Sequence, residues 1–323
     1  MATAFKNIAI KKDYQYLLLK IAAFLVLAFF VDFLFGGVFH YFYFKQSSGW
    51  EYRTKYSIED TKADILIFGA SRAQQQYNPV YFEEKLHQTC YNVGRDGEPI
   101  FYYYGLLTGI LKRYAPRIII LDVENNVFKE SQDSYDRLAI LLPFYKTHPE
   151  MRSVIEIKSP FEKLKLQSKI YPFNSMLFKI AIGNTEFNKK RSEDLKGYVP
   201  LTRALDEAIR TVNLSKNMYS IDSNKIKFYR SFIKDCQNAN IKLYLVCSPY
   251  FMHTVGTDSS MNIAKKIAKE NNIDFIDYSK DEMFLGNSKL FDDTVHVNVT
   301  GSEIFSNKLA DTILFKSKNV AIK

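Results

Sequence analysis

The sequence predicts an α/β fold of the doubly wound type, with a parallel five-stranded sheet between two layers of helices. Two observations indicate this class. Short apolar runs alternate with helical patterns from about residue 61 onwards, and such alternation is typical of parallel strands joined by covering helices. The chain is also long enough, at 323 residues with 47% hydrophobic content, to bury a substantial core.

The predicted strands are apolar runs that are too short for stable helices but suit buried strands. They cover residues 64–68, 90–93, 117–121, 241–247 and 274–278. The predicted helices cover residues 79–87, 99–114, about 225–238, about 260–271 and the segment after residue 300. Asn78 and Pro79 are typical of an N-cap and a first helical residue. Thr300 and Glu303 match a capping box, which predicts the start of the last helix.

An insertion interrupts the alternation between residues 126 and 223, where helix-like patterns occur without a clear strand. Because a structureless loop of this length is uncommon in a compact domain, we predict a helical lid or subdomain. The α/β domain then comprises residues 61–125 and 224–323. Residues 145–200 hold eleven Lys or Arg against six Asp or Glu, which fits either a solvated face or a surface for anionic glycans or lipid headgroups.

Residues 17–44 are predicted to form a single transmembrane helix, because about 20 apolar residues cross a bilayer core and only Lys20 and Asp32 are charged here. Lysines precede the span and the aromatic run HYFYF ends it, so residues 1–16 are predicted to be cytoplasmic and the later domain exported, periplasmic or extracellular. A cleaved signal peptide is the rival interpretation. A partner helix or a tilted, snorkelling position would each explain Asp32. Residues 45–60 are predicted to be a polar stalk.

The composition narrows the classes of function. The net charge of +9 is moderate and spread along the chain, and the sequence has neither zinc-ligand spacing nor a basic helix with heptads, so nucleic acid is not an expected partner. Three widely spaced cysteines match no metal or redox motif, and their odd number argues against a disulfide framework. We therefore predict no metal site and no cofactor.

Ligands of an open parallel sheet bind beyond the carboxyl ends of its strands, where the outgoing loops converge. The first strand is followed by GASR with Ser71, the second by NVGRDG with Gly94, and the third by DVENN at residues 122–126. FDDTVHVN, at residues 291–298, precedes the last helix. A hydroxyl, a glycine that allows close approach, side-chain amides and an Asp-x-x-His pair are the groups that acyl transfer requires. Taken singly, each is equally a turn or structural residue.

The order of these motifs resembles the blocks of the SGNH (GDSL-like) hydrolase superfamily. That superfamily has a serine just after the first strand, a glycine in an Asn-x-Gly turn, an asparagine after the third strand and Asp-x-x-His near the C-terminus. The resemblance covers roughly residues 60–125 and 224–315, and the insertion lies outside it. It implies a three-layer sandwich with the flavodoxin-like arrangement of strands.

The resemblance also implies roles for individual residues. Ser71 would be the nucleophile, His296 the general base, and Asp293 the residue that orients the base. Asp292, which directly precedes Asp293, is an alternative orienter. The backbone N–H groups of Ser71 and Gly94 would stabilise the oxyanion.

The third block departs from the superfamily pattern of Gly-x-Asn-Asp. Asp122 stands where the glycine would be and Glu124 where the asparagine would be, with Asn125 and Asn126 one and two positions later. A carboxylate donates no hydrogen bond unless it is protonated. Asn125 or Asn126 is therefore the predicted third oxyanion donor.

Arg72, directly after the serine, has two interpretations. It holds the loop or an anionic group of the substrate, or it forms a salt bridge with Asp96 or Glu98.

The anchored domain is similar in organisation to the accessory proteins of D-alanylation and polysaccharide O-acetylation systems, in which a domain of this superfamily works with a multi-spanning acyltransferase. The resemblance implies ester hydrolysis or O-acyl (acetyl) transfer through an acyl-serine, on an acylated glycan of the cell envelope or a secreted polysaccharide, or on a lipid-linked saccharide. The alternative is a catalytically silent, membrane-anchored scaffold that binds glycan or the acyltransferase. A flavodoxin-like phosphate binder would leave Asp-x-x-His unexplained, and the histidines lack the helical pairing of a metal hydrolase.

Overall fold

The computed structural model describes residues 2–185, 195–206, 208–214 and 218–320. Within these ranges the chain forms two parallel sheets. Their strands, in chain order, are β1 (Ile65–Phe68), β2 (Cys90–Asn92), β3 (Ile118–Asp122), β4 (Thr211–Asn213), β5 (Lys242–Cys247), β6 (His253–Val255) and β7 (Asp274–Asp277).

The central sheet has five parallel strands in the order β2-β1-β3-β5-β7. This confirms the predicted fold class. The five predicted strands match the observed ones to within a residue at either end. The second sheet pairs β4 with β6, so the insertion contains a short strand that the sequence pattern did not predict.

Helices lie at the predicted positions, and short helices that were not predicted lie before β1, directly after β1 and within the insertion. They are α1 (Ala2–Lys45), α2 (Gly49–Lys55), α3 (Ser71–Gln76), α4 (Pro79–Leu86), α5 (Ile100–Leu111), α6 (Gln132–Asp136), α7 (Arg152–Ile155), α8 (Glu162–Lys165), α9 (Leu177–Gly183), α10 (Ser223–Asn238), α11 (Ser259–Glu270) and α12 (Val299–Val320). A π-helical turn covers Tyr56–Asp60, and 3-10 turns cover Arg137–Phe144, Pro149–Met151, Glu156–Lys158, Tyr171–Phe173 and Ser288–Leu290.

Two hydrophobic cores lie on opposite faces of the sheet, because successive side chains of a strand point in opposite directions. In β1, Leu66 and Phe68 face a core that includes side chains of α5, α10, α11 and the insertion. Ile65 and Ile67 face a second core that includes side chains of α4 and α12. The apolar runs are continuous because both faces of the sheet are covered.

The insertion is largely helical, as predicted, but most of its described part lies beside the domain rather than over the edge of the sheet. The segments from α6 to α9 pack on α5 and on the C-terminal part of α1. Residues 195–205 run along the loop before α12: the N–H of Leu205 donates to Phe291 O, and that of Val299 to Leu201 O. These residues border the candidate site described below.

The prediction that residues 45–60 form a polar stalk is wrong. Residues 49–60 are helical and belong to the folded domain, where Glu51 and Thr54 are buried. Glu51 pairs with buried Arg95 across 3.1 Å. The charged residues of this stretch therefore face the interior as well as solvent.

The last helix begins two residues before its predicted start. Asn298 Oδ1 accepts a hydrogen bond from the N–H of Gly301 at 3.1 Å, which satisfies one of the unpaired donors of the first turn. Asn298 is thus the N-cap of α12, and the predicted capping box at Thr300 is wrong. By contrast, the expected N-cap at Asn78 is confirmed, since its Oδ1 accepts from the N–H of Val80 at 3.1 Å.

Candidate active site

The abrupt end of β1 presents Ser71 at the carboxyl edge of the sheet. Gly69, just after the strand, has φ +147°, a conformation that side chains disfavour, and a Cβ there would lie 2.6 Å from Ala73 Cβ. Ser71 is the first residue of α3. The turn therefore requires glycine, and it leads directly into the helix that carries the serine.

Ser71, His296 and Asp293 form a continuous chain of hydrogen-bonding groups. His296 Nε2 lies 2.8 Å from Ser71 Oγ, and His296 Nδ1 lies 2.8 Å from Asp293 Oδ2. The side chain of His296 is 18% exposed and that of Asp293 is 47% exposed, so the group is open to a substrate. This is the geometry of a nucleophile, a base and an orienting carboxylate.

Backbone contacts hold Asp293 in place. Its Oδ1 accepts hydrogen bonds from the N–H groups of Val295 and His296 at 2.7 and 2.8 Å. Partial burial raises the pKa of Asp293, but its hydrogen bonds, first that from the His296 ring and then those from the backbone, hold the pKa below its usual value. The carboxylate beside His296 is therefore ionised at neutral pH.

Asp292, the alternative orienter, faces elsewhere. Its Oδ1 accepts from the N–H of Arg203 at 2.8 Å, and its Oδ2 lies 2.9 Å from Arg203 Nη2. Asp292 ties residues 195–205 to the loop before α12 and makes no side-chain contact with His296 among the described hydrogen bonds. The adjacent aspartates thus have separate roles.

The loop that carries His296 is attached to the serine helix. Gln76, the last residue of α3, is fully buried and its Nε2 donates to Val295 O at 3.0 Å. The hydroxyl groups of Ser302 and Ser306, in α12, donate to Gln76 O at 3.0 and 3.3 Å. These bonds hold α12, the histidine loop and α3 together as one unit.

The oxyanion donors depart from the prediction in one respect. The N–H of Ser71 lies in the first turn of α3, where no intrahelical acceptor exists. The N–H of Gly94, the other predicted donor, already donates to Asn92 Oδ1 at 2.9 Å. In this conformation Gly94 is not available to an oxyanion, because the Asn92 side chain, fixed by bonds to Ala73 O and Tyr77 O, occupies its donor.

Gly94 has a steric role that the motif alone did not reveal. A Cβ at this position would lie 2.8 Å from Asn92 Oδ1, 2.9 Å from Ala73 Cβ and 2.9 Å from the Gln74 nitrogen. Only glycine lets the loop after β2 approach α3 so closely. The glycine therefore sets the distance between this loop and the serine helix.

The described hydrogen bonds do not place the third block, residues 122–126, in an oxyanion hole. The N–H of Asn125 donates to the Tyr250 hydroxyl and that of Asn126 to Asp258 Oδ1, each at 3.1 Å. No hydrogen bond between described residues joins either side chain to Ser71 or His296. The role of Asn125 or Asn126 as the third donor stays a prediction.

Glu124, where the superfamily pattern has asparagine, is half-buried at the end of β3. Burial raises its pKa to about 7, an effect that Arg72 opposes and Asp122 reinforces. Near neutral pH a substantial fraction of Glu124 is therefore protonated. In that form the side chain can donate a hydrogen bond, which its carboxylate form cannot.

The predicted substrate contact of Arg72 is wrong, and so is its predicted salt bridge with Asp96 or Glu98. The Arg72 side chain is 1% exposed, and its Nη2 donates to Ser248 O at 2.5 Å and Pro249 O at 3.0 Å. Its guanidinium lies 4.0 Å from the centre of the Tyr250 ring, a cation–π contact. Arg72 fastens the serine helix to the loop after β5, and a substrate cannot reach it.

Arg95 is a structural residue that the sequence analysis missed. It is 6% exposed and donates to Trp50 O at 2.9 Å and to Thr54 Oγ1 at 2.5 Å, besides pairing with Glu51. These contacts join α2 to the loop that holds Gly94. The only sequence signal was an arginine in a turn beside a candidate glycine, which does not identify a partner.

No family model matches the sequence, and neither does any curated protein. Among solved structures the chain is similar to an acetyl xylan esterase, at 17% identity and TM-score 0.38, over 78% of this chain and 98% of that one. It is also similar to the psychrotrophic esterase EstA from Pseudoalteromonas sp., at 12% identity and TM-score 0.40, over 79% and 98% of the chains. A proposed acylhydrolase from Bacteroides fragilis gives 12% identity and TM-score 0.40, over 84% and 99%. Identities and TM-scores this low are too weak to support a statement about activity.

Proposed function

We propose that this protein is a serine-dependent ester hydrolase or O-acyl transferase of the SGNH type, which acts through an acyl-serine. The observation that carries the proposal is the chain from Ser71 Oγ through His296 to Asp293, with both links at 2.8 Å. It stands at the carboxyl edge of a parallel sheet, where such folds bind ligands. The order of its residues along the chain is the one expected from the superfamily resemblance.

The chemistry follows from the positions of the three side chains. Ser71 Oγ attacks the acyl carbon of an ester while its proton passes to His296 Nε2, and Asp293 stabilises the imidazolium that forms. The leaving alcohol takes the proton from Nε2, and an acyl-serine remains. Water or an acceptor hydroxyl then attacks the acyl-serine by the same proton route in reverse, which gives hydrolysis or transfer.

The proposed location is a membrane, with the domain on the exported side and the N-terminus in the cytoplasm. The structure has one helix, among its described residues, that is long and apolar enough to cross a bilayer, Asp13–Lys45, and a signal sequence passes the same test. Packing of the helix end favours an anchor that is retained. Tyr43 is 1% exposed and its ring lies 5.8 Å from that of Phe173 in the insertion, so cleavage after the span would remove part of a core.

The proposed substrates are acylated envelope or secreted glycans, or lipid-linked saccharides, and the proposed partner is a multi-spanning acyltransferase. The anchored organisation supports both proposals, because such a domain stays close to substrates and proteins of the membrane surface. The acyl group that fits the resemblance is acetyl.

A fluorophosphonate probe tests the nucleophile, since it forms a stable bond only with an activated serine. The full-length protein should be labelled and should hydrolyse p-nitrophenyl acetate, and Ser71→Ala should lose both properties. Ser279→Ala, in the loop after β7, is the matched control and should keep them. Absence of labelling in folded wild-type protein would contradict the proposal.

A catalytically silent scaffold is the second candidate, and two observations favour it. The N–H of Gly94 is engaged by Asn92, and the third block has Glu124 in place of the asparagine. A scaffold would support its cellular process equally well with Ser71→Ala. Measuring polysaccharide acylation in cells that carry this variant separates the two candidates.

A further inference from the structure

The insertion exposes large apolar side chains close to α1. Phe161, Leu164, Leu177 and Phe178 are 66%, 71%, 44% and 77% exposed. They lie in or beside α8 and α9, and α9 itself packs on α1. Single exposed apolar residues are ordinary on a soluble surface, whereas several within one short segment indicate contact with something apolar.

The contact with α1 is specific and fixes the position of the insertion along the helix. Asp32 accepts hydrogen bonds from the Ser168 hydroxyl at 2.5 Å and from the N–H groups of Lys169 and Ile170 at 2.7 and 3.2 Å. At Gly36 any Cβ would lie within 2.3 Å of Lys169 Cβ. The acidic residue within the apolar run thus has its partner in the same chain.

The upper end of this contact lies further along the same helix. Asn184 Nδ2 donates to Phe42 O at 2.9 Å. Ten residues of α-helix separate Asp32 from Phe42, a rise of about 15 Å. The insertion therefore follows α1 over about that length.

The opposite face of α1 stays exposed and apolar over the same length. Leu34, Val38 and Tyr41 are 49%, 41% and 58% exposed. If about 20 residues from residue 14 onwards cross a core about 30 Å thick, Asp32 lies at the boundary between hydrocarbon and headgroups. The residues after Asp32 then enter the headgroup region, and the insertion lies beside them from that depth outwards.

The charges of the insertion suit this depth. Lys163, Lys165 and Lys179 alternate with the apolar side chains and are exposed, although each also forms an ion pair within the chain, with Glu156, Glu162 and Glu51 respectively. Long cationic side chains of an interfacial segment reach toward phosphate groups while apolar neighbours enter the acyl region. Between α1 and the insertion lies a cavity of about 310 Å³ with Lys146 and Lys169 in its wall.

We propose that the apolar face of the insertion, formed by Phe161, Leu164, Leu177 and Phe178, is a membrane-docking surface that is seated in the leaflet on the side of the α/β domain. The occupant is lipid: acyl chains cover the four side chains, and headgroup phosphates neighbour the lysines. The docked insertion holds the domain at a set height above the bilayer. This inference rests on the proposed retention of α1 as an anchor and does not depend on the proposed chemistry.

Site-directed spin labelling of the full chain in lipid nanodiscs tests the docking surface. The nanodiscs contain phosphatidylcholine with a minority of phosphatidylglycerol. The three native cysteines are buried, so a nitroxide reagent labels only an introduced cysteine. Labels at Leu164→Cys and Phe178→Cys report on the surface, Leu25→Cys reports on the span, and Phe315→Cys, 68% exposed on α12, is the matched control.

We expect the ratio of oxygen accessibility to nickel-chelate accessibility to be several-fold higher for labels at positions 164 and 178 than for the label at position 315. The label at position 25, within the span, should give a still higher ratio. If the labels at positions 164 and 178 are as accessible to the nickel chelate as the label at position 315, while the label at position 25 is shielded, the docking surface is wrong. The proposed anchor would still agree with that result. Shielding of 164 and 178 from both reagents would mean that a second copy covers the face, which also overturns the lipid proposal. A water-exposed label at 25 would contradict the anchor itself. Each labelled variant should keep the wild-type unfolding temperature.

Discussion

Two adjacent aspartates allow a matched test of the proposed catalytic chain at the scale of single residues. Asp293 faces the imidazole of His296, whereas Asp292 faces Arg203. Asp293→Asn removes the charge that stabilises the imidazolium, so we expect kcat for ester hydrolysis to fall by about 100-fold or more with KM little changed. Asp292→Asn should leave kcat within a few-fold of wild type. Similar losses of kcat in both variants would mean that activity depends on the structure of the loop before α12 rather than on the negative charge of Asp293.

The raised pKa of Glu124 predicts that activity decreases as the pH rises. Because burial raises its pKa to about 7, the side chain is mostly neutral below that pH and an anion above it. The superfamily resemblance implies that the third block faces the developing oxyanion, where an anion is unfavourable, so we expect kcat/KM to fall as pH rises from about 7 to 8.5. In Glu124→Gln this fall should disappear, because glutamine does not titrate. A variant whose profile still falls over the same range would show that another group is responsible.

The residues around Ser71 show how far a single position can be inferred from sequence. Ser71, Asp293 and His296 were predictable because each follows a strand end or precedes a helix, and those boundaries converge at one sheet edge. Arg72 was not, since adjacent residues of a helix point about 100° apart. Its partners are the carbonyls of Ser248 and Pro249, which carry no sequence signal.

At the scale of elements, α2 and the loop after β2 depend on one buried ion pair. Arg95 and Glu51 are almost fully buried and lie 3.1 Å apart. Glu51→Ala leaves a buried charge without its partner, and we expect the unfolding free energy to fall by about 3 kcal/mol or more. Glu270→Ala, which removes the exposed partner of Arg230, should change it by less than about 1 kcal/mol. Thermal unfolding of detergent-solubilised protein measures both; equal shifts would contradict the role assigned to Glu51.

The elements that sequence patterns predicted are those with regular periodicity. The five strands of the central sheet are short, continuous apolar runs, because both faces of the sheet are buried, and the predicted helices between them are longer apolar or amphipathic segments. Residues 49–60 carry no such pattern: Glu51 is buried by a specific partner 44 residues away. The short turns of the insertion, such as Tyr171–Phe173, are likewise held by tertiary contacts with α1 and with Arg137–Phe144. Local periodicity contains no information about such contacts.

At the scale of the whole molecule, α1, the proposed anchor, and the α/β domain form one packed body. α1 continues beyond the apolar span without a break, and its end enters the core at Tyr43. After a short link α2 follows. Arg95, in the loop that holds Gly94, donates to Trp50 O of α2, so this contact holds the loop against α2. Packing therefore connects α1 to the immediate surroundings of the candidate site.

A substitution at Asp32 tests how the insertion is held against α1. Asp32→Ala removes the acceptor for three hydrogen bonds from residues 168–170, and bonds to a charged group contribute about 1.5–3 kcal/mol each when intact. We expect the amides of Lys169 and Ile170 to exchange hydrogen at least tenfold faster and the unfolding temperature to fall. Asp32→Asn keeps one carbonyl oxygen and should show a smaller change in both. Hydrogen exchange on the full chain in nanodiscs measures the effect at each amide. Unchanged exchange at these amides in Asp32→Ala would mean that the other contacts between the insertion and α1, including the hydrogen bond from Asn184 to Phe42 O, are sufficient to hold it.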